Sequence, residues 1–384
     1  MAKKSLVILG STGSIGRQAL EIVRRFPEQF QVLGLGAGEN LSLLKKQIEI
    51  FRPKLVSVKD PEKAEKLKKR IPSGIKVLSG EAGLMELAGL ERAELVLVAL
   101  VGAMGLRPLL RAIEAKKTIA LANKEPMVMA GEIIKKRAEK NSVRLIPVDS
   151  EHCAIFQLLE KKGREEIKKV ILSASGGPFR KRSGKDLKEV SPQEALAHPT
   201  WKMGKKISID SATLMNKALE LIEARWFFDL KVSQLEVIIH PQSIVHSLVE
   251  LKDGSVLAHL SRPDMRIPIS YALFYPQRAE LDFPRLNLAK VGKLEFEPVD
   301  FNRFPALLLG YNALKKGGTM PAVMNASNEV AVEAFLSGKI RFNRIVELVE
   351  KVMKEHKPIL ARSLEQVLQA DAWARARTKE LIYG

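Results

Sequence analysis

This chain of 384 residues holds a single cysteine, Cys153. A lone thiol forms no internal disulfide and no cysteine-based zinc site, so any metal has to sit on oxygen or histidine ligands. Aromatic residues make up only 5% of the chain, and its basic segments lack the aromatic stacking partners of single-strand nucleic-acid binders. Long apolar runs are missing as well. The longest uncharged one, LVLVALVGAMGL from Leu95 to Leu106, falls far short of the roughly 20 residues that cross a bilayer. The N-terminus, MAKKSLVILG, runs straight into a strand pattern with no cleavage site. These absences lead to the expectation of a cytoplasmic chain with no membrane partner.

Charge is what the chain has in excess: 63 basic against 44 acidic residues, a net +19. The basic residues are spread through KAEKLKKRI, IIKKRAEK and EKKGREEIKKV, interleaved with Glu, which is the pattern of solvated helix faces. No nucleic acid is expected as partner, and a basic nucleic-acid binder stands as the non-enzyme alternative. A positive field of this kind also favours an anionic substrate.

The length exceeds what one hydrophobic core serves, so two or three domains are expected. From Ser5 to Asp149, short apolar runs (SLVILG, FQVLGLGAG, KLVSV, ELVLVAL, KKTIALA, VRLIPV) alternate with amphipathic helical stretches. That rhythm predicts an α/β domain, a Rossmann-like doubly wound parallel sheet over 1–149. Beyond it, KKVILSAS, QLEVIIH, SIVHSLVEL and SVLAHLSR, the last two joined by KDGS, predict a central α+β domain over 150–274 with helices around SATLMNKALELIEARWFF. A Pro-rich linker is expected at 275–301 and a C-terminal helical bundle at 302–384.

Six stretches carry chemistry. In LVILGSTGSIGRQAL, Gly10, Gly13 and Gly16 fall at the first strand–helix junction, where glycines let backbone N–H groups approach a pyrophosphate at a helix N-terminus. The second strand ends at GLGAGEN, and Glu39 there is either the acid that takes the ribose hydroxyls of NAD or a solvated loop acid. In VDSEH, Asp149 and Glu151 stand two apart at a strand's end. They converge on a hard cation if the extended conformation runs on through Ser150, or else are an N-cap and a first-turn acid. In DSATLMNKALELIEARW, Asn216, Lys217 and Glu220 share one helix face, as a polar site or as an ordinary i,i+3 ion pair. Near them, ILSASGGPF and HPTWKMGKKISIDSAT add a glycine turn, His198, Trp201, Ser208 and Ser211, the groups a phosphate requires.

Taken together, GSTGSIG, ALANKE, PVDSEHCAIFQ, SASGGPFR, HPTWKMGKKISIDSATLMNKALELIEARW, HPQSIVHS and NASNEVAVEAFL resemble the 1-deoxy-D-xylulose 5-phosphate reductoisomerase family, from about Leu6 to the C-terminal helices. The resemblance implies NADPH and Mg²⁺ or Mn²⁺ as cofactors, a small phosphorylated sugar as substrate, and a homodimer through the central domain. It implies Asp149, Glu151 and Glu220 as metal ligands, with Lys124 and His198 beside them in the catalytic set. Substrate contacts fall on Lys124, Ser150, Glu151, Ser175, His198, Ser211, Asn216, Lys217 and Glu220. Coenzyme contacts fall on Thr12, Gly13, Ser14, Ile15, Gly38, Asn40, Asn123, Glu125 and Gly204. A mobile flap, about 175–205, contains Trp201 and Met203. One departure stands out: some relatives carry a basic residue where this chain has Glu39. The rival enzyme reading is a semialdehyde-dehydrogenase-like oxidoreductase with Cys153 as nucleophile.

Overall fold

The apolar run Ser5–Leu9 is buried along its whole length, because helices cover both faces of the strand it forms. This strand, β1 (Lys4–Leu9), runs into the helix Ser14–Arg25, and the pattern then repeats. The protein, seen in a computed structural model, is described over residues 3–160, 162–182, 186–201 and 203–384; residues 183–185 and 202 of the expected flap lie outside these. It divides into two compact units.

The first unit comprises Met1–Pro126, Ile134–Cys153 and Asp264–Asp282. Its other strands are β2 (Phe30–Ala37), β3 (Leu55–Val58), β4 (Lys76–Ser79), β5 (Leu95–Val98), β6 (Thr118–Leu121) and β7 (Leu145–Pro147). All pair in parallel, in the order β4-β3-β2-β1-β5-β6-β7. The winding reverses at β1, and ligands of such sheets bind beyond the strands' carboxyl ends at that point. Strand β4 escapes the sequence pattern because it is a four-residue edge strand, half-buried at most, and needs no continuous apolar run. The helix Arg266–Phe274 also belongs to this unit, although its residues fall within the span expected for the central domain. Its Ile269, Ala272, Leu273 and Phe274 enter the first core, with Phe274 edge-on to Phe26 and Phe30 at 5.0 and 4.8 Å between ring centroids. Nine residues of local pattern do not reveal which core they will join.

The second unit comprises Met127–Ile133, Ala154–Pro263 and Phe283–Gly384. Its sheet has the order β11-β10-β8-β9, formed by β8 (Ile167–Ala174), β9 (Leu235–Ile239), β10 (Val245–Leu251) and β11 (Val256–Leu260). Strands β8 and β9 are parallel, and the other two pairings antiparallel. KDGS makes the expected hairpin turn. The helices expected around SATLMNKALELIEARWFF are Lys205–Thr213 and Met215–Phe228, separated at Leu214 in the left-handed region with φ 61°. Leu214 is buried in the second core, so packing overrides its helical preference. Four longer helices, Pro305–Lys316, Met320–Leu336, Phe342–Glu355 and Leu364–Tyr383, fill the C-terminal region as expected. Among the described residues no helix is long and apolar enough to cross a membrane.

Candidate active site

The glycine-rich turn follows β1. Gly10 has φ +93°, and a Cβ there would lie 2.1 Å from the carbonyl oxygen of Ala99, so only glycine fits. Thr12 and Gly13 lead into the helix Ser14–Arg25, whose N-cap Gly13 provides no side-chain cap. The N–H groups of Ser14 and Ile15 thus belong to a helix end shaped to receive an anion. Gly38 follows β2, and Asn40 caps the next helix, Leu41–Phe51, by accepting from the Leu43 N–H at 3.0 Å. Glu39 is ion-paired with Lys63. After β6, Asn123 and Glu125 are buried. The Asn123 amide donates to Glu125 and to the Gly102 carbonyl, while its Oδ1 is buried without a hydrogen-bond partner. A glycine-lined anion cradle and an orphaned amide oxygen are consistent with a dinucleotide.

Strand β7 stops at Pro147, and the helix Ser150–Leu159 starts at Ser150 itself, where the extended run would have continued. Asp149 occupies the N-cap position: its carbonyl accepts from the Cys153 N–H at 2.8 Å and its Oδ1 from the Glu151 N–H at 3.3 Å. The two acids are therefore cap and first-turn residue, the second of the two arrangements the sequence allowed, and the extended run through Ser150 does not form. Burial opposes the charge on Asp149, but Lys124, ion-paired with it, and His152, whose Nδ1 lies 3.0 Å from Oδ1, hold its carboxyl well below the ordinary range. His152 is fully buried and sequence reasoning passed it over, although its i,i+3 spacing from Asp149 was a usable signal. Ser150 donates to Glu151. Glu220 is buried on Met215–Phe228, ion-paired with Lys217 and accepting from the Asn216 amide at 2.6 Å. Asp149 and Glu151 offer carboxylate oxygens in the first unit, and Glu220 offers one in the second. Three hard oxygen donors suit Mg²⁺ or Mn²⁺.

In the second unit, Ser175 follows β8 and its Oγ lies 2.9 Å from His198 Nε2. His198 Nδ1 accepts from the N–H groups of Thr200 and Trp201 at 3.1 and 2.9 Å. A nitrogen that accepts twice carries no proton, so the proton sits on Nε2 and is donated to Ser175. The Gly177 N–H also donates to that oxygen, at 3.1 Å. With both acceptor sites taken, the Ser175 hydroxyl proton is left to donate outward. Gly177, at φ +66°, brings this turn against Ser211, since a Cβ there would meet the Ser211 carbonyl oxygen at 2.7 Å. Ser211 and Lys217 are buried and Asn216 is half-buried. Gly204 caps the helix that carries Ser211. Trp201 and Met203 are half-buried. Cys153 is only 1% exposed, the setting of a packing residue and not of an accessible nucleophile.

Three family models match the chain: 1-deoxy-D-xylulose 5-phosphate reductoisomerase over residues 6–131, and that enzyme's C-terminal domains over 145–228 and 260–377. The 1-deoxy-D-xylulose 5-phosphate reductoisomerase of Chlorobaculum tepidum is 52% identical over 380 residues, covering 99% of this chain and 100% of that one. The enzyme of Thermodesulfovibrio yellowstonii is 50% identical over 379 residues, 99% of each. Among solved structures, the Zymomonas mobilis enzyme in complex with NADPH superposes with a TM-score of 0.93 at 40% identity over all of both chains. A reductoisomerase in complex with NADPH, fosmidomycin and magnesium superposes equally well at 40% identity, covering 99% of this chain and 100% of that one. Identity of about one half sustained over the full length, on a shared fold, places this chain in the 1-deoxy-D-xylulose 5-phosphate reductoisomerase family.

Proposed function

We infer that this chain converts 1-deoxy-D-xylulose 5-phosphate to 2-C-methyl-D-erythritol 4-phosphate, with NADPH and a divalent cation. The observation that carries the reading is the relation of the chain, over its whole length, to named reductoisomerases; the paired acids Asp149 and Glu151 at one helix end and the buried Glu220 beside Lys217 support it. Like charges this close repel unless a cation lies among them. When bound, the cation supplies Lewis-acid polarisation of the substrate's ketone and hydroxyl oxygens for the carbon–carbon rearrangement, and the coenzyme supplies hydride.

The remaining roles belong to side chains. Ser175, Ser211, Asn216 and Lys217 take the substrate phosphate, with His198 turning the Ser175 hydroxyl toward it. Lys124, paired with Asp149, keeps that carboxylate ionised and presents an ammonium to substrate oxygens. Ser150 orients Glu151. Thr12, Gly13, Ser14, Ile15, Gly38, Asn40, Asn123, Glu125 and Gly204 hold the coenzyme. Trp201 and Met203 exclude water as part of the flap about 175–205. In functional terms 1–149 serves the coenzyme, 150–274 the substrate, and 302–384 supports the latter. The same reading has the enzyme work in the cytoplasm as a homodimer through its central part, both inferences resting on family resemblance.

The test is turnover of 1-deoxy-D-xylulose 5-phosphate followed by NADPH oxidation, with product identified by mass spectrometry. Activity should vanish with a chelator and return with Mg²⁺ or Mn²⁺. No turnover with either metal would overturn the reading.

A further inference from the structure

A coenzyme that carries a 2′-phosphate needs a cation near the carboxyl end of β2, where dinucleotide-binding sheets meet the adenosine ribose. This chain has an acid there, Glu39. Yet Glu39 does not stand alone. Strand β3 pairs with β2 in parallel, Val58 opposite Ala37, and the chain leaves β3 beside the end of β2, with the Lys59 N–H on the Ala37 carbonyl at 3.1 Å. The helix Pro61–Lys68 begins at once, capped by Asp60, whose carboxylate accepts from the Lys63 N–H at 3.1 Å. That cap fixes Lys63 in the first turn, and its ammonium reaches across to the Glu39 carboxylate. The side chains are 36% and 65% exposed respectively, so the pair is solvated and weakly held. A phosphate bearing nearly two charges is a stronger partner for an ammonium than one exposed carboxylate.

We propose that Lys63 recognises the 2′-phosphate of NADPH in this chain, exchanging Glu39 for the phosphate when the coenzyme binds. A cation from the strand next door takes the place of a basic residue at position 39. Glu39 then serves as the resting partner that holds the Lys63 chain toward the ribose edge. The proposal rests on the coenzyme reading above and deepens it.

Direct binding separates the two. The affinities of NADPH, NADH, 2′,5′-ADP and 5′-AMP are measured by calorimetry in the wild type, Lys63→Ala and Lys63→Arg. Lys63→Ala should weaken NADPH and 2′,5′-ADP roughly tenfold, the worth of one charge-assisted hydrogen bond at an exposed site, while NADH and 5′-AMP stay within about twofold. Lys63→Arg should keep most of the preference, because the charge and its reach are retained. An equal loss for all four ligands in Lys63→Ala would overturn the proposal, since Lys63 would then only support the turn. No change for any of them would overturn it as well. A wild type that binds neither NADPH nor 2′,5′-ADP would overturn both this inference and the coenzyme reading.

Discussion

Replacing His198 by asparagine should remove a pH-dependent part of this protein's stability while keeping its local turn. His198 Nδ1 accepts two backbone N–H groups, from Thr200 and Trp201, so a proton placed there would face two donors. Burial acts in the same direction and lowers the pKa to about 4, against an ordinary value near 6.5. The imidazole of the folded protein is therefore neutral, and that of the unfolded chain is protonated below about pH 6.5. Stability from this group is complete above the unfolded value and is lost as pH falls from about 6.5 to about 4. Between pH 7.5 and 5 the full shift would amount to ~2 kcal/mol. His198 is only half-buried, and screening by solvent reduces this to about 1 kcal/mol.

Asparagine does not titrate, and its side-chain oxygen makes the same bond to the N–H two residues on, as an Asx turn. It lacks the Nε2–H that faces Ser175. The assay is urea unfolding of wild type and His198→Asn at pH 7.5 and 5. Wild type should lose about 1 kcal/mol more than the variant over this interval, since every other titrating group is common to both. Equal losses would refute the assignment of a neutral, doubly accepting His198. In the same variant the KM for substrate should rise several-fold at pH 7.5, because the Ser175 hydroxyl is no longer turned outward by a donor, a loss of about 1 kcal/mol.

Glu220→Gln should lower turnover by at least about a hundredfold and leave NADPH affinity, read by fluorescence titration, within about twofold, because the coenzyme cradle is built at the ends of β1, β2 and β6. A parallel loss of coenzyme affinity would contradict that division of labour. Cys153→Ser should keep near-normal turnover; abolished turnover would revive a thiol nucleophile. Glu39→Lys should raise the NADPH-to-NADH ratio of kcat/KM by roughly tenfold, the effect of exchanging a screened negative charge for a positive one. An unchanged ratio would show that the side chain at 39 points away from the ribose. Asn328→Ala should cost about 1–3 kcal/mol in thermal or urea unfolding, since the Asn328 amide donates at 2.7 Å to the buried Asp210; a cost near zero would mean that Lys206, 2.9 Å from Asp210, satisfies it alone.

What could be read in the sequence were the features that repeat or that chemistry restricts. Six of the seven strands of the first sheet announce themselves as apolar runs between helices, and Gly10 stands where a side chain would collide with Ala99. The family motifs named Ser175, His198 and Ser211 as neighbours in function, and the structure brings Ser175 onto His198 and the Gly177 turn onto Ser211. What stayed hidden depends on partners far along the chain. Strand β4 is defined by its place at an edge, the helix Arg266–Phe274 by aromatic contacts to residues some 240 positions earlier, and the break at Leu214 by the core it enters. Lys63 gave no local signal, because only the parallel pairing of β2 with β3 brings it to Glu39.

The cap arrangement at Asp149 bears on how its carboxylate is held. Strand alternation would have set two acids side by side with only their mutual repulsion. As N-cap and first-turn residue they sit instead at the positive end of the helix Ser150–Leu159, where unpaired N–H groups and the dipole favour negative charge by about 0.3–1 kcal/mol each. Asp149 gains more from Lys124 and His152, and these outweigh its burial. Glu220, on its own helix, has Lys217 and Asn216 as partners. Asp149 and Glu220 thus each have a fixed cationic partner, Lys124 and Lys217, that offsets part of their charge before any metal binds. A chelated protein should accordingly lose activity with little change in its unfolding midpoint. A large fall in the midpoint on chelation would mean that the cation, and not these partners, is what offsets the charge of these carboxylates.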